Sequence, residues 1–458
     1  MVKLFGKGDR HSRTESRESR TIASLKTKER RYMTEAMGAN AAAQRERIIS
    51  TCKAQIERQI GNMKALPGRS RSMEYFDKLA DFYGPRAGEV KKFKETGGKV
   101  VGTLCVQVPA EIISAAGAVP VRFCQGIHEA VHPANELLGD AGLCPLAKST
   151  LGTKMVEANP FLEMADLLVA PTPCDAKLKI GEILQDFMPV LLVNMPRAKV
   201  GETTRRQWLE EVRIIKDRVE ELTGKNITRE SLRASIETYQ RARKAWSELS
   251  ELRKTGRPMW GRDALLVSQA FGYDHLDRWT ENVKALVADL TTSKVQVGDA
   301  EMPRILLAGS PIIWPNWKIP TLIEDSKGII VADELCTATR LLYDPVVIDE
   351  WTMDGMMAAL AERYMYPCTC PCFTPNQERE ETIVNRCRDY KAEGVVFHVL
   401  RGCHLNSLDA TRIELRLKKE RIPMLKIESE YDEGDVEQIR TRIEAFIEMI
   451  VARKEFLI

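Results

Sequence analysis

The chain has 458 residues, 44% apolar and 29% charged, with 11 Cys and a formal net charge of +3 from 68 Lys and Arg against 65 Asp and Glu. That composition excludes a disordered chain, and the length exceeds one small core and predicts two or three domains. No run of 18 apolar residues occurs, so neither a membrane span nor a membrane partner is expected.

The excess charge is local. Residues 1–31 hold ten Lys and Arg and four Asp and Glu, which leaves 58 against 61 in the remainder, a slightly acidic body. A nucleic-acid binder carries its positive charge on the folded body, so no nucleic-acid partner is expected. Residues 1–25 read as a basic flexible tail; a frayed terminus is the plain explanation, contact with RNA, a membrane or a partner the alternative. The opening MVKLFGKGDRHSRTESRESR lacks the apolar stretch of a secretory signal, and a cytoplasmic location is expected. An odd cysteine count in that setting argues against a disulfide framework and leaves buried thiols, a catalytic thiol or metal.

In chain order, residues 26–97 predict helices, with apolar groups at helical spacing between charges, ended by Gly97–Gly98. Residues 98–203 predict a first α/β domain. KVVGTLCVQVPAEIISAAGAVPVRF reads as strand, Pro-started helix and strand; DLLVAPTPCDAK and PVLLVNMP read as two more buried strands. Residues 204–300 predict a helical connecting region, with Thr228 as the N-cap of a long helix and Glu230 in its first turn. Residues 301–458 predict a second α/β domain, with strands in PRILLAGSPI, GIIVADEL, GVVFHVLRGC and IPMLKIES and a closing amphipathic helix. Gly309 reads as a strand-end turn requiring close backbone approach. The fold class is therefore α/β, two parallel-sheet domains with added helices, and the shared grammar of the halves suggests pseudo-duplication. Neither GxGxxG nor GxxxxGK[ST] occurs, so nothing supports a nucleotide site.

The cysteines fall where ligands of open α/β sheets collect, beyond the carboxyl ends of strands. Cys105, Cys144 and Cys174 lie there in the first half; Cys336, the run Cys368, Cys370 and Cys372, and Cys403 lie there in the second. Two facing sheets would bring both sets into one cleft. Their spacing excludes a compact zinc knuckle and permits a thiolate-held iron–sulfur cluster between domains. Taken singly, each is equally a small buried residue; Cys52, Cys124 and Cys387 read as packing residues. His128, His132, His404, Glu111 and Glu334 are candidates for proton transfer or hydrogen bonding in the cleft, against the plainer reading of core or solvated side chains. Lys148, Lys177 and Asp175 share that ambiguity.

CVQVPAEIISAAGAVPVR, LCPLAKSTLG, PTPCDAKLK, DELCTATR, GVVFHVLRGCH and IPMLKIESEYDEGDVEQIRTRIEAF together resemble the family of 2-hydroxyacyl-CoA dehydratase subunits, benzoyl-CoA reductase subunits and double-cubane cluster proteins, over roughly residues 98 to 450. The resemblance implies two flavodoxin-like domains with an iron–sulfur cluster between them, and an ATP-hydrolysing activator protein, with its own [4Fe-4S] cluster, as electron donor. Dehydratase subunits hold one [4Fe-4S] cluster at positions matching Cys105, Cys144 and Cys403. A double-cubane [8Fe-9S] cluster uses six thiolates, and Cys174, Cys336 and Cys370 (or Cys368 or Cys372 in its place) complete such a set. The cysteine inventory thus points to a homodimeric, ATP-coupled, low-potential reductase of a small molecule in anaerobic metabolism, carrying a double cubane. The alternatives are a single-cluster dehydratase or benzoyl-CoA reductase subunit, and a non-catalytic electron carrier.

Overall fold

Residues 41–139, 141–337 and 339–455 are described by the computed structural model. The basic tail and the predicted helical residues 26–40 lie outside them. The apolar run Val100–Thr103 forms β1, which is buried throughout. β2 (Val119–Arg122), β3 (Leu167–Pro171) and β4 (Val190–Val193) join it in a parallel sheet of order β2-β1-β3-β4. Val101 pairs with Pro120 on one side and Leu167 on the other, so the chain departs from β1 in both directions. A crevice opens at such a switch point, beyond the carboxyl ends of the strands.

The second half repeats this plan. β5 (Arg304–Gly309), β6 (Ile329–Leu335), β7 (Gly394–Leu400) and β8 (Met424–Ser429) form a parallel sheet of order β6-β5-β7-β8. Relative to chain order the two sheets have the same topology, as the shared sequence grammar predicts. β6 and β7 are buried along their whole length, which explains their unbroken apolar character: helices cover both faces.

Helices fill the remainder. Residues 41–64 are helical, followed by Glu74–Leu79 and Pro85–Glu95. Between the sheets run Glu202–Thr223, Arg229–Thr255, Gly261–Ala270 and Leu276–Ser293. Thr228 caps its helix as expected: its hydroxyl accepts the Ser231 N–H and the Ser231 hydroxyl accepts the Thr228 N–H, both at 3.1 Å. That helix ties the two halves together. Arg243 pairs with Glu111 of the first half at 2.6 Å and donates to the Leu341 carbonyl of the second. Trp208, fully buried, donates to the Ala361 carbonyl across the same junction. Among the described residues no helix is long and apolar enough to cross a membrane.

Candidate functional site

The strand ends deliver thiols to the crevice in two ways. Cys105 lies two residues beyond the end of β1 and adopts φ 65°, a left-handed conformation that a non-glycine residue keeps only when its surroundings enforce it. Arg122, the last residue of β2, enforces it by donating to the Cys105 carbonyl, and its other terminal nitrogen reaches the Cys336 carbonyl of the second half at 3.5 Å. Cys144, Cys174 and Cys403 instead occupy the N-cap positions of helices Pro145–Met155, Asp175–Leu184 and His404–Lys419. A cysteine stands where Ser, Thr, Asp or Asn is usual. Three helix N-termini, with free N–H groups and the positive end of the macrodipole, therefore lie at cysteines of the crevice.

The halves meet at this point. A Cβ on Gly402 (φ +76°) would lie 2.5 Å from the Gly142 carbonyl oxygen and 3.0 Å from the Cys144 nitrogen, so the loops carrying Cys403 and Cys144 are in backbone contact. A Cβ on Gly126 would lie 2.0 Å from the Ile313 carbonyl oxygen, a second contact of the same kind. Val131, Leu146, Ile313, Leu400 and Tyr431 form an apolar cluster over this junction, with Cys124, Cys144 and Cys403 packed against it.

Electrostatics divide the thiols. Burial pushes the Cys144 thiol up to about 12, with the neighbouring Cys403 adding to the rise and the Ala147 N–H opposing it. Burial likewise raises Cys105 and Cys174. Cys124 is held below the usual thiol range: burial opposes this, but Lys177 and Arg122 outweigh it. The Lys177 ammonium lies 3.7 Å from the Cys124 sulfur. Burial alone would lower the Lys177 pKa, yet Cys124, Cys105, Cys144 and Cys174 raise it to about 12.

The run Cys368–Cys372 is buried against the first half, where Gln107 Nε2 reaches the Cys368 sulfur at 3.5 Å. A hydrogen bond from the Cys372 thiol lowers Cys370 to about 6, with Arg340 assisting against burial; Cys372, the donor, is raised. Burial raises Cys336 to about 12, opposed by Arg340.

Other sequence candidates sit elsewhere. Glu111 is fully buried in its ion pair with Arg243 and accepts from the Tyr364 hydroxyl at 2.7 Å. Glu334 is fully buried between Arg340 and Arg379, at 2.5 and 3.1 Å, and accepts from Thr369. It anchors the thiol run from behind. The His128 and His132 rings contact each other at 5.4 Å; His132 is exposed and His128 lines a surface groove with Thr51 and Tyr431. His404 and Asp175 are exposed in the first turns of their helices, and Lys148 is buried in the helix after Cys144. Gly309 has φ +106°, and a Cβ there would lie 2.0 Å from the His398 carbonyl oxygen, so its close approach is to the neighbouring strand. Cys52 and Cys387 are buried in the core, as expected of packing residues. Cys124 differs from its packing assignment: it faces Lys177 at the crevice. Its position just after β2 in VPVRFC was the available signal, the same strand-end rule that singled out Cys105.

Among the described residues, no three His, Cys, Asp or Glu side chains gather around one point to hold a metal ion. Two parallel sheets of like topology, with cysteines beyond their strand ends, define the α/β class of this chain. Residues 105–450 match the family described as 2-hydroxyglutaryl-CoA dehydratase, D-component, and the chain belongs to that family. The Escherichia coli (strain K12) protein YjiM, provisionally named a dehydratase subunit, is 32% identical over 369 residues, 79% of this chain and 94% of that protein. The (R)-phenyllactyl-CoA dehydratase beta subunit of Clostridium sporogenes is 24% identical over 83% of this chain and 100% of its own length. A benzoyl-CoA reductase subunit of Thauera aromatica is 23% identical over 77% of this chain and 91% of its own.

These findings correct the expectation of a double-cubane [8Fe-9S] reductase. The relatives are named as dehydratase and benzoyl-CoA reductase subunits, and none of these names is that of a double-cubane protein. The dehydratase or reductase subunit, the alternative reading of the sequence, takes its place.

Proposed function

We propose that this chain is a subunit of a 2-hydroxyacyl-CoA dehydratase or an aryl-CoA reductase, holding one [4Fe-4S] cluster through the thiolates of Cys105, Cys144 and Cys403. The observation that carries this is the backbone contact of Gly402 with Gly142 and Cys144, which sets two of these cysteines side by side from opposite domains. The donor set suits the group. Soft thiolates select iron–sulfur clusters, and a cluster with its own sulfide bridges spaces its thiolates more widely than a single ion does. Helix N-termini at Cys144 and Cys403, and the buried Lys177 and half-buried Arg122 beside Cys105, supply positive charge for an anionic centre.

Such a cluster, when bound, supplies single electrons at low potential to a thioester substrate. The chain's own part is to hold the thiolates and to offset their charge. Electrons would come from an ATP-hydrolysing activator protein. The (R)-phenyllactyl-CoA dehydratase relative is named as a beta subunit, which favours pairing with a different subunit over a homodimer. The test is anaerobic purification with iron and sulfide analysis, then ATP- and activator-dependent turnover of a panel of 2-hydroxyacyl- and aryl-CoA thioesters with the companion subunit present. Turnover of a thioester supports the reading; an iron-free anaerobic chain overturns it.

A further inference from the structure

Lys177 is 7% exposed, and among the described residues the one hydrogen-bonding partner of its ammonium is the Cys124 sulfur at 3.7 Å. Among the described residues no carboxylate stands within ion-pair distance of it. Two comparably buried lysines are treated differently by the fold: Lys199 pairs with Glu378, and Lys318 pairs with Asp435. Lys177 also occupies the third position of the helix Asp175–Leu184, at the positive end of its macrodipole. A cation there is unfavourable, and a buried ammonium without a carboxylate partner adds to the cost. Two penalties on one side chain require an anion that the protein's own carboxylates do not provide. Four thiols, those of Cys124, Cys105, Cys144 and Cys174, act on it electrostatically.

We infer that Lys177 is a positioning charge for the anionic centre of the crevice, its ammonium stabilising the more reduced and more negative form and thereby raising the reduction potential. This rests on the cluster reading above. It gives the lysine of PTPCDAK a role that needs no contact with substrate: the residue acts through the charge of the bound thiolate group.

The test is an EPR-monitored redox titration of the anaerobic full-length protein carrying Lys177→Met or Lys177→Arg. Lys177→Met shifts the potential to more negative values, and Lys177→Arg, which keeps the charge, restores most of it. A potential unmoved by Lys177→Met overturns the inference. Thermal unfolding of the metal-free full chain establishes that each variant is folded before its potential is read. The two readings fail separately. Absence of iron from the wild-type protein defeats the cluster assignment, whereas iron with an unmoved potential defeats only the role of Lys177.

Discussion

Gly402 and Cys144 belong to opposite halves of the chain, yet a Cβ on Gly402 would sit 3.0 Å from the Cys144 nitrogen. The contact joins the loop after β7 to the N-cap of the helix Pro145–Met155, and it sets the distance between two proposed cluster ligands. Gly402→Ala meets two obstacles: the φ of +76° disfavours a side chain, and the Gly142 carbonyl blocks it. The expected outcome is a loss of about 1–3 kcal/mol of stability, together with reduced iron retention. Urea unfolding and iron analysis of the variant check both; full iron retention would show that the contact does not govern the site.

Glu111 and Arg243 form a structural pair, 0% and 3% exposed at the side chain. Removing one partner leaves the other charge buried and alone. Arg243→Met is expected to destabilise the fold by about 3–5 kcal/mol, while iron content per folded chain stays at the wild-type level. Denaturant midpoints and iron assays separate these outcomes, and iron loss without destabilisation would return Glu111 to the site residues.

His398 makes the fold sensitive to mild acid. Burial, with Lys318 nearby, lowers its pKa from 6.5 to about 3, and its ring nitrogen bonds the Ser429 hydroxyl at 2.8 Å. The folded state favours the neutral ring, so the unfolded state binds the proton first as pH falls. Its contribution is complete above pH 6.5 and is lost progressively toward pH 3. At roughly 1.4 kcal/mol per unit, the loss is on the order of 5 kcal/mol. Urea midpoints between pH 7 and pH 4 should fall more steeply for the wild type than for His398→Gln; equal slopes would contradict the assignment.

Much of this architecture was legible in the sequence for a physical reason. Five of the eight strands among the described residues, β1, β3, β5, β6 and β7, are short runs buried nearly throughout because helices cover the sheet faces, and such runs stand out between amphipathic helices. The position of Cys105, Cys144, Cys174 and Cys403 at element boundaries followed from the same rule. Charge pairing was not legible. Glu111 and Glu334 beside cysteine loops resembled site carboxylates, yet each is neutralised by arginines, and Arg243 and Arg379 are remote in sequence. Cys124 looks like an ordinary packing residue in sequence, because the ammonium it faces arrives from residue 177 on another element. The number of cysteines near the crevice suggested a six-thiolate set: position at a strand end places a thiol in the neighbourhood without deciding what it binds.

Individual cysteines offer a direct partition. Replacing Cys105, Cys144 or Cys403 by Ala should abolish iron retention, whereas Cys52→Ala and Cys387→Ala, in the apolar core, should retain it with a stability loss of about 1–2 kcal/mol. Iron analysis of the five anaerobically purified variants, with thermal unfolding alongside, reads the outcome.

The most direct test of the central claim is the iron and acid-labile sulfide content of the anaerobically purified full-length chain. One cluster held by Cys105, Cys144 and Cys403 predicts about four iron and four sulfide per chain. A chain free of iron and sulfide, or one holding about eight iron, would contradict it.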